Sequence, residues 1–406
     1  MAKRILYAQS GGMSAVINAS AAGVIAEAQV RGATLLAARY GMQGVLAGDI
    51  VTVPWLDREA LMRLSFTPGG IFGTARRDLP EPEAEPNLYD QLFAQFERFQ
   101  IDCFLYNGGN GSIYSVAQIA REAARRGVPV QVIGIPKTID NDLLGTHFSP
   151  GFPSAARYLA TSFLEASLDL ASFPAKGARA FVMETMGRNS GWLAASVKTA
   201  ATVLHDDSPH LILLPEMRWR KETLLAEAQR FLDRYSYCTI VVAEGVTLDG
   251  APLSYHGIEK RRYIQLGGAG SVVGGWLRDE LGAKVHVAVP DYLQRAAAHW
   301  LSAVDRELAW QVGTTAVAWA SDDPRLTGVM VGIDEQSGSW TMRPVAASEV
   351  GNRERQFPRE WFDEAHFRVT EPFLDYLLPL LEGCPVVPCG SHGLPRFLNL
   401  AELGVA

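Results

Sequence analysis

The chain has 406 residues, of which 48% are apolar and 20% charged, and its net charge is −7. This length exceeds one ordinary core, so we expect two domains. The acidic balance argues against a nucleic-acid partner, and no apolar run approaches the ~20 residues that span a bilayer. The first residues lead straight into a strand without a signal peptide. The four cysteines form no metal-binding pattern, which indicates a reduced, cytoplasmic protein.

Short apolar runs alternate with helical patterns along the chain. The apolar runs predict strands at Ile5–Ala8, Cys103–Tyr106, Val130–Ile135, Ala180–Met183, Leu211–Leu214, Thr239–Ala243 and Lys284–Val289. The helical patterns predict helices at Ser14–Val30, Leu88–Phe99, Ile113–Arg126, Ala155–Leu170, Ser190–Ala201, Lys221–Tyr235 and Tyr292–Gln311. This alternation favours an α/β fold with a mainly parallel sheet.

The segment 136–142, Pro-Lys-Thr-Ile-Asp-Asn-Asp, follows a predicted buried strand. It combines a cation at Lys137, a hydroxyl at Thr138 and carboxylates at Asp140 and Asp142. Ligands of parallel α/β sheets bind outside the carboxyl ends of the strands. A cation for phosphate oxygens, a carboxylate for a metal and a carboxylate to accept a hydroxyl proton suit phosphoryl transfer.

Other predicted strands also end in glycine-rich or charged loops. The loop at 107–112, Asn-Gly-Gly-Asn-Gly-Ser, is either a phosphate cradle or an ordinary strand–helix turn, and it lacks the Walker A spacing. The 66–77 loop ends in two arginines, and the run at 260–262 is basic; each is either a phosphate contact or a solvated surface. The joint occurrence of such loops at successive strand ends favours a phosphate site more than any one alone.

These motifs together resemble the phosphofructokinases, specifically the long pyrophosphate-dependent type. The resemblance covers nearly the whole chain and includes Met-Gly-Arg at 186–188, Ala-Glu-Gly at 243–245 and Tyr-Leu-Gln-Arg at 292–295. It implies two Rossmann-like three-layer α/β domains of the phosphofructokinase fold that face each other across a cleft. The implied phosphoryl-donor domain comprises 1–150 and about 295–340, and the implied sugar-phosphate domain comprises 151–294 and about 341–406.

The resemblance also implies a role for each matching residue in phosphorylation of the 1-hydroxyl of fructose 6-phosphate. Asp140 would be the general base, with Thr138 in the same site, and Lys137 would stabilise the transferring phosphoryl group. Gly12, Arg76, Gly109, Gly111 and Ser112 would bind the donor, and Asn110 and Asp142 would hold Mg²⁺. The substrate would be held by Thr138, Asp140, Met186, Gly187, Arg188, Glu244, Tyr292 and Arg295, with Arg179 or His286 reaching in from a neighbouring subunit of a homodimer or higher oligomer.

Two positions depart from the family pattern. Asn110 stands where the family usually has a magnesium-binding Asp, and its neutral oxygen is a weaker ligand. Gly111 stands where pyrophosphate-type members usually carry an Asp that repels ATP, so it favours ATP, whereas Lys137 is the pyrophosphate-type residue. Chain length and the segment 292–295 favour pyrophosphate, with ATP as the alternative.

Three other classes of function compete with this interpretation. Lipid or NAD kinases share a Gly-Gly-Asp-Gly loop but not the segments 136–142 and 186–188. A dinucleotide-binding oxidoreductase is disfavoured because the loop after Gly11 does not complete GxGxxG. Asn110 allows a catalytically impaired regulatory paralogue, against which the intact Lys137 and Asp140 argue.

Overall fold

The computed structural model describes residues 2–173, 177–204, 206–248, 250–253 and 267–404. The strands are β1 (Arg4–Gln9), β2 (Thr34–Ala38), β3 (Ile50–Thr52), β4 (Cys103–Gly108), β5 (Gln131–Pro136), β6 (Arg179–Thr185), β7 (Leu211–Leu213), β8 (Tyr237–Ala243), β9 (Thr247–Leu248), β10 (Ala251–Pro252), β11 (Lys284–Ala288), β12 (Val329–Gln336), β13 (Ser339–Ala346), β14 (Phe362–Asp363) and β15 (Arg368–Val369). Every predicted strand is present, and the α/β fold class is confirmed.

The α-helices are α1 (Ile17–Val30), α2 (Gly41–Ala47), α3 (Arg58–Phe66), α4 (Pro86–Arg98), α5 (Asn110–Arg126), α6 (Phe152–Ala171), α7 (Trp192–Ser196), α8 (Lys221–Tyr235), α9 (Ala269–Leu281), α10 (Tyr292–Ala296), α11 (Ala303–Asp322), α12 (Ala347–Val350) and α13 (Glu371–Leu377). Short 3₁₀ helices occupy Val197–Thr202, Ala298–Trp300, Arg359–Trp361 and Leu378–Leu381. The continuous helix predicted over 292–311 is wrong. A new helix begins after Ser302, whose side chain accepts a hydrogen bond from the Asp305 N–H as an N-cap.

The chain divides into two compact units that share it discontinuously. The first unit comprises 1–152, 295–355 and 383–406, and the second comprises 153–294 and 356–382. The predicted crossings near 150 and 295 lie close to these divisions. The predicted assignment of 341–406 to the second domain differs, because 341–355 and 383–406 belong to the first unit.

Strand pairing and side-chain hydrogen bonds explain why these later segments belong to the first unit. Strand β13 pairs antiparallel with β12, which in turn pairs parallel with β5 of the first sheet. Near the C-terminus, the Leu398 N–H donates to Thr67 Oγ1 at 2.9 Å, and Arg63 donates to the Phe397 carbonyl at 2.9 Å. The apolar patterns of these segments do not reveal which core they join.

The first unit contains a sheet with the strand order β13-β12-β5-β4-β1-β2-β3. Strands β12, β5, β4, β1 and β2 run parallel, and β13 and β3 are antiparallel edges. The central strands β1, β4 and β5 are almost fully buried, as expected when helices cover both faces of a parallel sheet.

The second unit contains a parallel sheet with the order β11-β6-β8-β7. Its buried aromatic cluster centres on Trp192, which packs against Phe357, Trp361 and Phe373. Among the described residues of both units, no helix is long and apolar enough to cross a membrane.

Candidate active site

Three loops leave the same edge of the first sheet, because the strands that precede them are in register. Gln9 pairs with Asn107, and Gly108 pairs with Pro136. The alignment continues beyond the strands, since the Lys137 N–H donates to the Gly108 carbonyl at 3.1 Å. The polar loops that the sequence predicts at separate strand ends are therefore neighbours along one edge.

Lys137 is the buried cation of this edge. Its residue exposure is only 4%, and its Nζ donates to the carbonyl of Gly12. A Cβ built on Gly12 would lie 3.1 Å from Arg295 Nη1 and 3.5 Å from Arg76 Nη2. Three cations thus converge on a glycine that leaves the backbone open, which is an arrangement suited to phosphate oxygens.

The protonation of Lys137 depends on its surroundings. Burial lowers its pKa to about 8, the charges of Asp140 and Asp142 act in the opposite direction, and Arg76 and Arg295 lower it further. A bound polyanion would add negative charge here and favour the protonated ammonium. The protonation of Lys137 and the binding of an anion are therefore coupled.

A tight turn holds the two carboxylates of the 136–142 segment. The Asp140 N–H donates to Thr138 Oγ1 at 3.1 Å. Asn141 adopts a left-handed conformation with φ of 55°, and its buried Oδ1 accepts the Ser149 N–H at 2.9 Å. Asn tolerates this conformation better than most residues, so Asn141 shapes the turn between the flanking carboxylates. No sequence signal singled out this role.

Asp142 and Asn110 face each other from neighbouring loops. Asn110 Nδ2 donates to Asp142 Oδ2 at 2.8 Å. Burial, followed by the charge of Asp140, raises the pKa of Asp142 to about 7, and the hydrogen bond from Asn110 acts in the opposite direction. A cation beside Asp142 would stabilise its ionised form.

The pair also has the donor atoms that Mg²⁺ prefers. Asn110 Oδ1 and Asp142 Oδ1 are buried and have no hydrogen-bond partner among the described residues. The described residues contain no group of three or more His, Cys, Asp or Glu that could hold a metal. Mg²⁺ commonly binds through one or two protein carboxylates together with substrate phosphates and waters, so these two residues fit such an ion.

The donor loop at 107–112 leads directly into α5. The Ser112 N–H donates to the carbonyl of Gly109, the N-cap of α5, at 3.0 Å. Gly111, which in the sequence favours ATP, has a carboxylate beside it, since a Cβ built there would lie 2.4 Å from Asp78 Oδ1. No sequence signal pointed to Asp78, because it lies 33 positions away on another segment.

In the second unit, the segment 186–188 after β6 contacts neighbouring segments through its main chain. The Gly245 N–H donates to the Gly187 carbonyl at 3.2 Å, and the Met186 N–H donates to Gln294 Oε1 at 3.1 Å. A Cβ on Gly245 would lie 1.7 Å from the Arg188 carbonyl oxygen. The segments 186–188 and 244–245 therefore touch, as expected for one binding surface, and Arg188 is exposed.

Glu184 has a structural role that its position in the sequence does not reveal. Its carboxylate is 2% exposed and accepts the N–H groups of Gly268 at 3.0 Å and Gly270 at 2.8 Å. These amides lie at the start of α9, where a negative charge is favourable. Glu184 thus ties α9 to the end of β6.

The remaining predicted phosphate ligands lie in different settings. Tyr292 is 63% exposed on α10, whereas the Arg295 guanidinium lies beside Gly12, next to the predicted donor loop. Arg179 begins β6 and stacks over the Phe173 ring at 4.4 Å, and His286 is exposed on the adjacent β11. The basic run at 260–262 lies outside the described residues.

The cations and carboxylates of the first-unit edge are the kinds of group that phosphoryl transfer uses. Comparison with known proteins identifies the family. The Phosphofructokinase family model matches residues 4–320. The chain therefore belongs to the phosphofructokinase family, which confirms the resemblance found in its motifs.

Full-length relatives agree with this family. The chain is 38% identical to the pyrophosphate–fructose 6-phosphate 1-phosphotransferase of Xanthomonas campestris pv. campestris, covering 99% of this chain and 97% of the relative. It is 39% identical to the enzyme of the same name from Halomonas elongata, covering 98% and 96%. A crystal structure of pyrophosphate-dependent phosphofructokinase from Marinobacter aquaeolei matches with a TM-score of 0.87 at 36% identity, covering 97% of this chain and 95% of that one.

Proposed function

We propose that this protein transfers a phosphoryl group from pyrophosphate to the 1-hydroxyl of fructose 6-phosphate, giving fructose 1,6-bisphosphate. The observation that carries this proposal is the buried Lys137 at the Gly12 loop, with Asp140 and Asp142 in the adjoining turn. Relatives that match nearly the whole chain are named for this reaction. Cations and carboxylates at one strand edge support the same chemistry.

Three residues of one segment carry out the transfer. Asp140 accepts the proton of the attacking hydroxyl, and a positioned general base contributes about 10²–10⁴-fold. Lys137 neutralises charge on the phosphoryl group as it moves, which matters because a loose transition state needs positioning and charge neutralisation above all. Thr138, whose hydroxyl accepts the Asp140 N–H, keeps the base oriented.

The donor lies against the glycine-lined edge in this proposal. Gly12 and Arg76 bind its phosphates together with the loop residues Gly109, Gly111 and Ser112. Asn110 and Asp142 would hold Mg²⁺, which would neutralise charge on the donor oxygens when bound. The buried Asn110 Oδ1 and Asp142 Oδ1, which have no hydrogen-bond partner in the part of the chain that the structure describes, support this assignment.

In this proposal, fructose 6-phosphate is bound by residues other than those that bind the donor. Met186, Gly187, Arg188 and Glu244 bind the sugar, and Tyr292 and Arg295 bind its phosphate. Arg179 and His286 come from the neighbouring subunit of a homodimer or a higher homo-oligomer. We further propose that the enzyme acts in the cytoplasm, in glycolysis or in the reverse direction according to the conditions of the cell.

ATP is the alternative donor, and Gly111 is the residue that favours it. A catalytically impaired paralogue is the remoter alternative, which Asn110 favours. Lys137 and the relatives' names favour pyrophosphate.

A donor assay on the purified full-length chain tests these alternatives. Fructose 1,6-bisphosphate formation is measured with saturating fructose 6-phosphate, Mg²⁺ and either pyrophosphate or ATP. We expect kcat/KM for pyrophosphate to exceed that for ATP by at least about 10²-fold, which corresponds to about 3 kcal/mol. Turnover with ATP alone would contradict the donor assignment. No turnover with either donor, despite tight fructose 6-phosphate binding, would favour the impaired paralogue.

A further inference from the structure

Asp78 fills the space that Gly111 leaves beside the donor loop. A Cβ built on Gly111 would lie 2.4 Å from Asp78 Oδ1 and 3.0 Å from Asp78 Cγ. No side chain fits at 111 while the Asp78 carboxylate keeps this position. The glycine therefore accommodates a carboxylate that arrives from elsewhere in the chain.

Hydrogen bonds hold the chain in place both before and after Asp78. Upstream, Thr74 Oγ1 donates to the Gly11 carbonyl at 2.9 Å. Downstream, Leu79 is 2% exposed, and its N–H donates to Ser115 Oγ at 3.4 Å. Ser115 Oγ in turn donates to the Gly111 carbonyl at 3.0 Å, so one serine connects the segment to the donor loop. These contacts hold the Asp78 backbone next to the first turn of α5.

The first turn of α5 gives the carboxylate a favourable electrostatic environment. Helix N-termini attract anions, and α5 has no acidic residue of its own in its first turn. A phosphate approaching Gly111 would have to compete with Asp78 for the same positive end. It would meet both the bulk and the charge of the carboxylate.

The sign of the charge changes along the edge of the first sheet. Lys137 and Arg76 lie at the Gly11–Gly12 end, whereas the Asp78 carboxylate lies at the Gly111 end. The phosphoryl group to be transferred must lie near Lys137 and Asp140. A donor with two phosphates can remain within the cationic end, but a nucleoside triphosphate must extend a further phosphate and a nucleoside beyond it.

We propose that Asp78 is a specificity-determining residue of the donor site, which disfavours nucleoside triphosphates at Gly111 and so selects pyrophosphate. This inference rests on the proposed function, because it explains the donor of that same reaction. The selecting carboxylate comes from the 74–79 segment, and Gly111 is the small residue that makes room for it.

Three variants separate the charge, the bulk and the position of this carboxylate. Asp78→Asn removes the charge at nearly constant size, and Asp78→Ala removes both. The double variant Asp78→Ala/Gly111→Asp returns a carboxylate to the same space from the loop itself. Glu83→Ala is the matched control, since Glu83 is exposed and pairs with Arg121 at 3.3 Å.

The measurements are kcat/KM for pyrophosphate and for ATP, and the inhibition constant of ATP against pyrophosphate, in the full-length enzyme. We expect Asp78→Ala to lower the ATP inhibition constant about tenfold and to raise the ATP-to-pyrophosphate ratio of kcat/KM by a similar factor, with a smaller change in Asp78→Asn. The double variant should return both quantities toward wild type, and Glu83→Ala should leave them unchanged. Because Asp78 is exposed, the effect should shrink at high salt.

The outcomes distinguish this inference from the proposed function. Wild-type turnover with ATP alone would contradict the proposed donor, and the inference with it. Wild-type turnover with pyrophosphate, combined with an ATP inhibition constant that Asp78→Ala changes less than twofold, would overturn the inference alone. Thermal unfolding of each variant accompanies the kinetics. If Asp78→Ala unfolds, the same comparison in Asp78→Asn decides, with a twofold limit.

Discussion

Polar side chains at the carboxyl ends of the strands have different surroundings in the two units. These ends are called here the first edge and the second edge. In the first unit, Lys137 is buried and Asp142 is partly buried, both have pKa values moved toward neutrality, and Asp142 Oδ1 is buried without a hydrogen-bond partner among the described residues. In the second unit, Glu184 accepts three hydrogen bonds from the amides of Gly268 and Gly270. The first edge contains groups whose pKa values a bound ion would change, whereas the second edge holds its buried carboxylate with its own main chain.

The difference between the two edges indicates that they have different roles. Buried groups whose charge balance depends on a ligand are typical of sites where charge moves. Glycines in close backbone contact, such as Gly187 and Gly245, instead fix the shape of a surface. We therefore expect changes at the first edge to affect turnover and changes at the second to affect sugar binding and stability.

The largest effect should follow Asp140→Asn. Loss of the proposed base should lower kcat by about 10²–10⁴-fold, with little change in fructose 6-phosphate affinity, because the amide keeps the size but cannot accept the proton. Steady-state kinetics and direct binding measure the two quantities separately.

The control for this variant is Asp322→Asn, which removes a carboxylate that is 66% exposed in the same unit. Its turnover should equal that of wild type. Near-normal kcat in purified Asp140→Asn would show that Asp140 is not the base and that the first edge does not differ from the second in the way described.

Gly245→Ala tests the second edge. The new Cβ would lie 1.7 Å from the Arg188 carbonyl oxygen, so the backbone must move, at a cost of about 3 kcal/mol. Displacement of the sugar-binding segment should raise KM for fructose 6-phosphate by about 10²-fold. Kinetics and thermal unfolding measure these effects.

Gly275→Ala is the matched control, because a Cβ there meets nothing within 4 Å and the position lies inside α9. It should stabilise the protein by about 0.5–1 kcal/mol, as Ala favours a helix over Gly. Equal effects of Gly245→Ala and Gly275→Ala on KM and on thermal unfolding would indicate that the backbone contact between Gly245 and Arg188 does not constrain the second edge.

The two edges also differ in how far their features can be predicted from the sequence. The first edge was predictable in outline because Lys137, Thr138, Asp140 and Asp142 lie within one short segment at a strand end, and strand alternation brings their loop beside the glycines. The parallel strands were predictable from apolar runs, because burial on both faces leaves little choice of residue.

Other features depend on tertiary contacts that no local pattern encodes. Asp78 reaches Gly111 only because Leu79 and Ser115 dock its segment there. The return of 383–406 to the first unit depends likewise on distant partners. Gly111 alone favoured ATP, since the sequence does not show that the Asp78 side chain lies beside it.

Asn110→Asp tests the metal assignment of the first edge with a smaller expected effect. A second carboxylate facing Asp142 should lower the half-saturating Mg²⁺ concentration about tenfold, because hard cations bind more tightly as ligand charge increases. Without Mg²⁺, the like charges should destabilise the variant. Activity titrated with Mg²⁺ and thermal unfolding with and without the ion provide both measurements.

Asn87→Asp adds the same charge at an exposed position on α4 and should leave the Mg²⁺ requirement unchanged. An unchanged requirement in Asn110→Asp as well would exclude position 110 from the metal site and leave Asp142 as its proposed protein ligand.

The smallest effect concerns His210, a buried polar group of the second unit. Its Nε2 donates to the Asp206 carbonyl at 2.9 Å, and its Nδ1 accepts the Thr239 N–H at 3.0 Å, so the neutral ring satisfies both contacts. Its ring also stacks on Phe231 with centroids 4.4 Å apart. Burial lowers the pKa of His210 to about 4.

Protonation of His210 would set two N–H groups against each other at Thr239, so the folded protein resists it. Between about pH 6.5 and pH 4 the unfolded chain binds a proton at this position that the folded protein does not, and stability therefore falls as the pH falls. We expect a loss of about 1 kcal/mol in the free energy of unfolding at pH 5.5 relative to pH 7.5. Denaturant unfolding should show a shallower pH dependence in His210→Asn, whereas His392→Asn, at an exposed position, should retain that of wild type. An identical slope in His210→Asn and wild type would mean that His210 binds protons equally in both states, and that the main chain of the second unit does not control its protonation.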